Sequence, residues 1–233
     1  MCGIVGALHR ADASFNLARG VSVLAHRGPN DHGVWEAPGV QLGFTRLSIL
    51  DLSTAGHQPM QSLDGRYVIV FNGEIYNFQA LRKTLESAGE MFVGHSDTEV
   101  LLRLFMRDGF EGCLQRLRGM FAFAVWDRET STLSLARDRL GVKPLVYAET
   151  AQGFLFGSEI QALFALDEHL SRVPNVQALD HYLTFQYIPA PMSGFAAIRK
   201  LPAAHAMVVQ DGKIKRQWLS LIHISEPTRR RGI

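Results

Sequence analysis

At 233 residues, with 47% hydrophobic and 20% charged residues, the chain has the composition of a folded protein with one main core, not of a disordered segment. A formal net charge of +2, with its only dense basic run at Arg229-Arg230-Arg231, leaves no distributed footprint for nucleic acid. No apolar run approaches the roughly 20 residues that span a bilayer, and the N-terminus lacks the basic-then-apolar layout of a secretory signal, so a cytoplasmic protein acting on a small molecule is expected.

In chain order, Cys2–Leu8 reads as a strand, and Ser14–Ala25 as a helix with Leu17, Val21 and Leu24 on one face. Val40–Phe44 and Arg66–Phe71 are short β-branched or aromatic runs bounded by turn residues and read as strands separated by a long loop. Asn77 is expected to cap a helix through Leu81 and Leu85 to Gly89, and Ser96-Asp97-Thr98-Glu99 has capping-box spacing before a helix over Val100–Arg107. Met120–Trp126, Thr132–Ala136, Leu145–Ala148 and Phe154–Phe156 follow as strands in the manner of an antiparallel meander, then a short helix over Ser158–Ala165.

Strands, then helices, then strands again predict an α+β fold, a four-layer α/β/β/α sandwich of two antiparallel sheets. Beyond it the chain is punctuated by Pro174, Pro189, Pro191 and Pro202, which predicts that the domain proper spans 1–190 and that 191–217 is an exit segment. That segment ends in a hairpin, His205–Gln210 and Lys213–Gln217 around Asp211-Gly212. Residues 218–233 change character without periodicity and read as a foreign tail after a truncation.

The two cysteines, Cys2 and Cys113, are too few for a disulfide framework and lack zinc-site spacing. Cys113, inside the amphipathic stretch Glu111–Leu117, reads as a small buried hydrophobe. Cys2 is different. A small residue after Met1 permits removal of the methionine, leaving a thiol and a free α-amine on one residue. With pKa values of about 8.5 for the thiol and about 8 for the amine, that residue would hold both a nucleophile and its base.

The strings around it sharpen this reading. They are Met1-Cys2-Gly3-Ile4-Val5-Gly6, His26-Arg27-Gly28-Pro29-Asn30, Arg46-Leu47-Ser48-Ile49-Leu50, Phe71-Asn72-Gly73-Glu74-Ile75-Tyr76-Asn77 and Ser96-Asp97-Thr98-Glu99. Further along come Gly119–Ala124, Arg137–Leu145 and Ser158-Glu159-Ile160. In this order and spacing, residues 1–217 resemble the N-terminal glutaminase domain of glutamine-dependent asparagine synthetases, class II glutamine amidotransferases of the N-terminal-nucleophile hydrolase superfamily. Two departures stand out: Asn30 occupies a position where aspartate is usual, and nothing like the family's C-terminal synthetase domain follows.

The resemblance implies a catalytic Cys2 with an oxyanion hole from Asn72 and Gly73, and L-glutamine contacts at Arg46, Leu47, Ile49, Leu50, Asn72, Gly73, Glu74 and Asp97. An Arg46 guanidinium suits a carboxylate, and the Asp97 and Glu74 carboxylates suit an α-ammonium. Each also has a plainer reading: Arg46 as a surface side chain, Asp97 as a first-turn carboxylate and Asn72-Gly73 as a hairpin turn. His26, Asp138 and Lys143-Pro144 read as architecture around the site.

For hydrolysis the resemblance implies no cofactor and no metal. ATP and Mg are expected only for the missing synthetase domain, which would be joined in cis, and a homo-oligomer is compatible with the family. No nucleic-acid or membrane partner is expected. Two other readings stay open, another class II amidotransferase and a non-catalytic module that binds an amino acid or a partner protein.

Overall fold

A computed structural model of the chain describes residues 1–10, 13, 15–48 and 53–219. Strands β1 (Gly3–His9), β2 (Asp31–Ala37) and β3 (Val40–Arg46) open it, with helix α1 (Leu17–Ser22) between the first two. Next come β4 (Met60–Gln61), β5 (Tyr67–Ile75), α2 (Phe78–Ser87), α3 (Asp97–Arg116), β6 (Gly119–Asp127) and β7 (Thr132–Arg137). The remainder holds β8 (Val146–Glu149), β9 (Gly153–Gly157), α4 (Ile160–Leu166), α5 (Val176–Phe185), β10 (Arg199–Lys200), β11 (His205–Gln210) and β12 (Lys213–Leu219).

The strands form two six-stranded sheets, in the orders β10-β8-β9-β1-β3-β2 and β12-β11-β7-β6-β5-β4. Their long pairings are antiparallel, so the expected four-layer sandwich is the observed fold. The side-chain period of a strand explains why the middle strands are apolar on both faces. On β1, Ile4 and Leu8 pack between the sheets while Val5 and Ala7 meet α1 and α4. On β6, Ala122, Ala124 and Trp126 point inward while Phe121, Phe123 and Val125 meet α2 and α3. No described helix is long and apolar enough to cross a membrane.

Several local expectations are corrected. The four strands expected as one meander divide between the sheets: β6 pairs with β5 and β7 follows it, whereas β9 pairs with β1 and β8 follows it. A local apolar run marks a strand but does not say which sheet receives it. Strand β2 carries no sequence signal of its own: it is an edge strand with His32, Val34 and Glu36 facing solvent, without a run of buried residues. Helix α5, capped by Asn175 Oδ1 accepting from the Ala178 N–H at 3.1 Å, lies where prolines had suggested irregular chain.

Asn77 stands at the start of α2 without capping it. Its side-chain amide instead donates to the Arg116 carbonyl (2.9 Å) and accepts from the Arg118 N–H (3.0 Å), tying α2 to the end of α3. Ser96 does cap α3, accepting from the Glu99 N–H at 3.3 Å. Glu99 turns to the Val93 and Gly94 N–H groups, both at 2.8 Å, so the reciprocal half of a capping box is absent. The Asp211-Gly212 hairpin forms, with φ of 55° and 67° at its two tip residues. Within the hairpin, β11 pairs with β7 and β12 forms the edge of the second sheet, while β10 pairs with β8. Residues 220–233 lie outside the described residues.

Candidate active site

The start of β1, the end of β3, the second half of β5 and the first turn of α3 converge on one cleft. Cys2, Arg46, Leu47, Asn72, Gly73, Glu74 and Asp97 all line it, so residues far apart in sequence are brought to one place. Ile49 and Leu50, the other expected contacts, lie outside the described residues.

Cys2 immediately precedes β1, and its Sγ sits against Leu47, whose N–H donates to it (3.4 Å) and whose carbonyl accepts from it (3.7 Å). Burial pushes the thiol pKa up, while the Leu47 contact, the N-terminal charge and Arg46 pull it down. The Cys2 backbone is fixed independently: the Arg27 Nε donates to its carbonyl at 3.0 Å, and Arg27 Nη1 donates to Glu159 Oε1 at 2.8 Å. Two residues on, the Ile4 N–H donates to Ser158 Oγ (3.0 Å) and the Ser158 N–H to the Ile4 carbonyl (2.8 Å). His26 also reaches Glu159 Oε1 at 3.0 Å and does not line the cleft. The strings around residues 26 and 158 thus form a bracket that immobilises the start of β1.

Removing that bracket should be visible in a melting curve. Glu159→Ala is expected to lower the thermal midpoint, because Arg27 remains buried without this carboxylate. Glu159→Gln, which keeps an acceptor at Oε1, should recover most of the loss.

Asn72 and Gly73 are not a turn. They lie within β5, opposite Ala122 and Phe121 of β6. The hairpin reading fails because the apolar run continues through Ile75 and pairs along its whole length. Asn72 is 1% exposed, and among the described residues its buried Nδ2 has no hydrogen-bond partner. A buried amide donor without an acceptor costs about 1–3 kcal/mol, which marks the position for something other than folding. Gly73 is required sterically, since a Cβ there would stand 2.4 Å from the Met120 carbonyl oxygen.

Asp97 opens α3, 5% exposed, and its Oδ2 accepts from the Ile75 N–H at 3.0 Å. Burial pushes its carboxyl up to about 6, with Glu74 adding to the rise, while the Ile75, Thr98 and Asp97 N–H groups oppose it. Arg46, also buried, donates from Nη1 to the Ser53 carbonyl at 2.9 Å. Asn30 does the work of an aspartate acceptor: its Oδ1 accepts from the Ser48 N–H at 3.0 Å and helps carry the chain past Arg46.

The cleft also contains residues that sequence patterns did not single out as substrate contacts, among them Gln58, Thr98, Met120 and Lys143. Gln58 accepts from the Phe71 N–H at 2.6 Å and donates to Thr98 Oγ1 at 3.2 Å, joining β5 to α3 behind Asn72 and Asp97. An isolated glutamine in a loop carries no pattern that could have announced this. Lys143 belongs to a string read as architecture, and that string does have architecture: the Asp138 carboxylate accepts from the Phe121, Leu140, Val142 and Lys143 N–H groups. Cys113 is fully buried against α3's apolar neighbours and its thiol is pushed well up by burial, as suits a packing residue. Among the described residues no group of three or more His, Cys, Asp or Glu is placed to hold a metal ion.

A family model described as "Glutamine amidotransferase domain" matches residues 1–219. Among curated relatives, the glutamine-hydrolysing asparagine synthetase 3 of Bacillus subtilis is 39% identical over 227 residues, covering 94% of this chain and 36% of the relative. Asparagine synthetase 1 of the same organism is 37% identical over 221 residues, covering 92% and 34%. The chain therefore spans about a third of the length of these curated relatives. Among solved structures, glutamine phosphoribosylpyrophosphate amidotransferase from B. subtilis shares the fold, with a TM-score of 0.69, 20% identity, and coverage of 93% of this chain and 49% of that one.

Proposed function

Because the chain belongs to the glutamine amidotransferase domain family, we propose that it hydrolyses L-glutamine to L-glutamate and ammonia with Cys2 as nucleophile. The observation that carries the reading is the convergence in one cleft of a thiol, an unpartnered buried amide donor, a buried arginine and a buried carboxylate. That set matches glutamine group by group. Arg46 takes the α-carboxylate, Asp97 with Glu74 the α-ammonium, and the side-chain amide lies between Cys2 and Asn72.

In the proposed reaction Met1 is first removed. The freed α-amine of Cys2 takes the proton from Sγ, and the thiolate adds to the side-chain carbonyl carbon of glutamine. The new oxyanion is held by Asn72 Nδ2 and the Gly73 N–H. The α-ammonium returns its proton to the departing nitrogen, which leaves as ammonia, and a γ-glutamyl thioester remains. Water, deprotonated by the same amine, opens the thioester and releases glutamate with the thiol restored. No cofactor enters this sequence. In the longer relatives we assign ATP and Mg to the portion outside this match, where ammonia would meet aspartate.

The deciding experiment exposes the purified chain to a glutamine-like diazoketone and measures intact mass. A single adduct, mapped to residue 2 with Met1 absent, is expected. Absence of an adduct at Cys2, under conditions where glutamate is released, refutes the assignment.

The acid limb of the pH profile offers a second check. Cys2's amine, with an ordinary pKa of about 8, must be free, so kcat/KM falls with unit slope as pH drops below that value. Asp97 holds an ammonium only when ionised. Because its carboxyl titrates near 6, the limb steepens to a slope of two below about pH 6. Asp97→Asn is expected to raise KM throughout and to abolish the steepening; an unchanged limb in that variant would show that Asp97 does not govern substrate binding.

A further inference from the structure

Arg46 does not stand alone at the end of β3; what holds it reaches out of the cleft to the edge strand β2. Asp31 on β2 lies directly across from Arg46 in the β2–β3 register. Its Oδ2 accepts from His57 Nδ1 at 2.7 Å, and its Oδ1 accepts from the His32 N–H at 2.8 Å. An ionised carboxylate can only accept, so Nδ1 is the protonated ring nitrogen. Burial works against the Asp31 charge, but the His57 and His32 hydrogen bonds and nearby Arg46 prevail and hold the carboxyl below its usual range.

His57 ends a single helical turn, Thr54–Gly56, that begins at Ser53. Ser53 caps the turn, its Oγ accepting from the Ala55 N–H at 3.2 Å, and its carbonyl accepts from Arg46 Nη1 at 2.9 Å. The turn is thus pinned to β2 at its far end and presents a carbonyl to Arg46 at its near end. Gln58, the next residue, anchors it to β5 and α3. Arg46 lines both the cleft and an outer groove that includes Asp31, Ser53 and His57, so the guanidinium sits between the reacting side and this brace.

We infer that Asp31 and His57 are positioning residues for substrate binding, holding the Ser53 carbonyl, and through it the Arg46 guanidinium, where the α-carboxylate of glutamine docks. The inference rests on the proposed role of Arg46. With side chains 48% and 34% exposed, the His57–Asp31 pair adds little to stability. Placement of a two-pronged donor is a stricter demand than stability, because displacement by a fraction of an ångström weakens a paired hydrogen bond. Loss of the pair is therefore felt in substrate affinity and not in the fold.

The test is steady-state glutaminase kinetics on the full chain with His57→Ala, Asp31→Ala, the double variant, His57→Asn and Arg46→Ala. His57→Ala and Asp31→Ala are each expected to raise KM about five- to tenfold with kcat unchanged, the signature of weakened uniform binding. The double variant raises KM no further than either single, because one linkage is broken in all three. His57→Asn, whose amide N–H takes the place of Nδ1–H, returns KM to within about twofold of the unaltered chain. The inference is overturned if His57→Ala leaves KM unchanged while Arg46→Ala raises it, if kcat falls in step with the melting temperature, or if His57→Asn fails to rescue. If Arg46→Ala itself leaves KM unchanged, the carboxylate role of Arg46 fails first and this inference with it.

Discussion

Cys2→Ala is expected to reduce glutamate release by a factor of about 10⁴ or more, to background, with the melting temperature of the chain nearly unchanged. The side chain is only partly buried and packs at the margin of the inter-sheet core, so its removal leaves no large cavity. The strand that follows is held by Ser158 and by pairing to β3 and β9, none of which uses the thiol. A second form of the experiment separates nucleophile from base. A chain whose N-terminus stays blocked keeps the sulfur, the cleft and Asn72, but its α-nitrogen can no longer accept a proton. With a thiol pKa already raised by burial, ionisation at neutral pH without that base is scarce, so activity should fall nearly as far as in Cys2→Ala. Full-rate glutamate release from a chain that retains Met1 would sink the assigned base while leaving Cys2 itself in place.

The sheets and the site were legible in the sequence to different degrees, for physical reasons. The continuous apolar runs of β1, β3, β5, β6 and β7 record burial on both faces, so these strands could be read locally. Their assignment to sheets could not, because the partner of β9 is β1, set by packing across the whole chain. The site residues were named by motif, and the cleft gathers those that the structure describes. What the motifs could not give was the support behind them. Gln58 and Glu159 act by hydrogen bonds to groups distant in sequence, and nothing in a local window encodes such a partner. The same holds for Asn72-Gly73, where a strong turn signal was overridden by strand pairing on β6.

The unpartnered Asn72 amide leads to the second large effect. A donor sealed from water without an acceptor destabilises the folded state, so a stability-driven sequence would not place one there. If it exists to meet an oxyanion, activity and stability should part company. Asn72→Leu fills nearly the same volume without the orphan donor; kcat is expected to fall about 10²–10³-fold while KM changes little, because the hydrogen bond forms fully only as charge develops on the oxygen. The melting temperature of this variant should hold steady or rise. Asn72→Asp should be as inactive, since it turns an acceptor toward the developing negative charge. A fall in melting temperature matching a lost buried hydrogen bond, with kcat retained, would instead make Asn72 a structural residue. The burial that makes the amide costly in the resting protein is also what makes it effective, because a donor held dry and fixed need not reorganise when the charge appears.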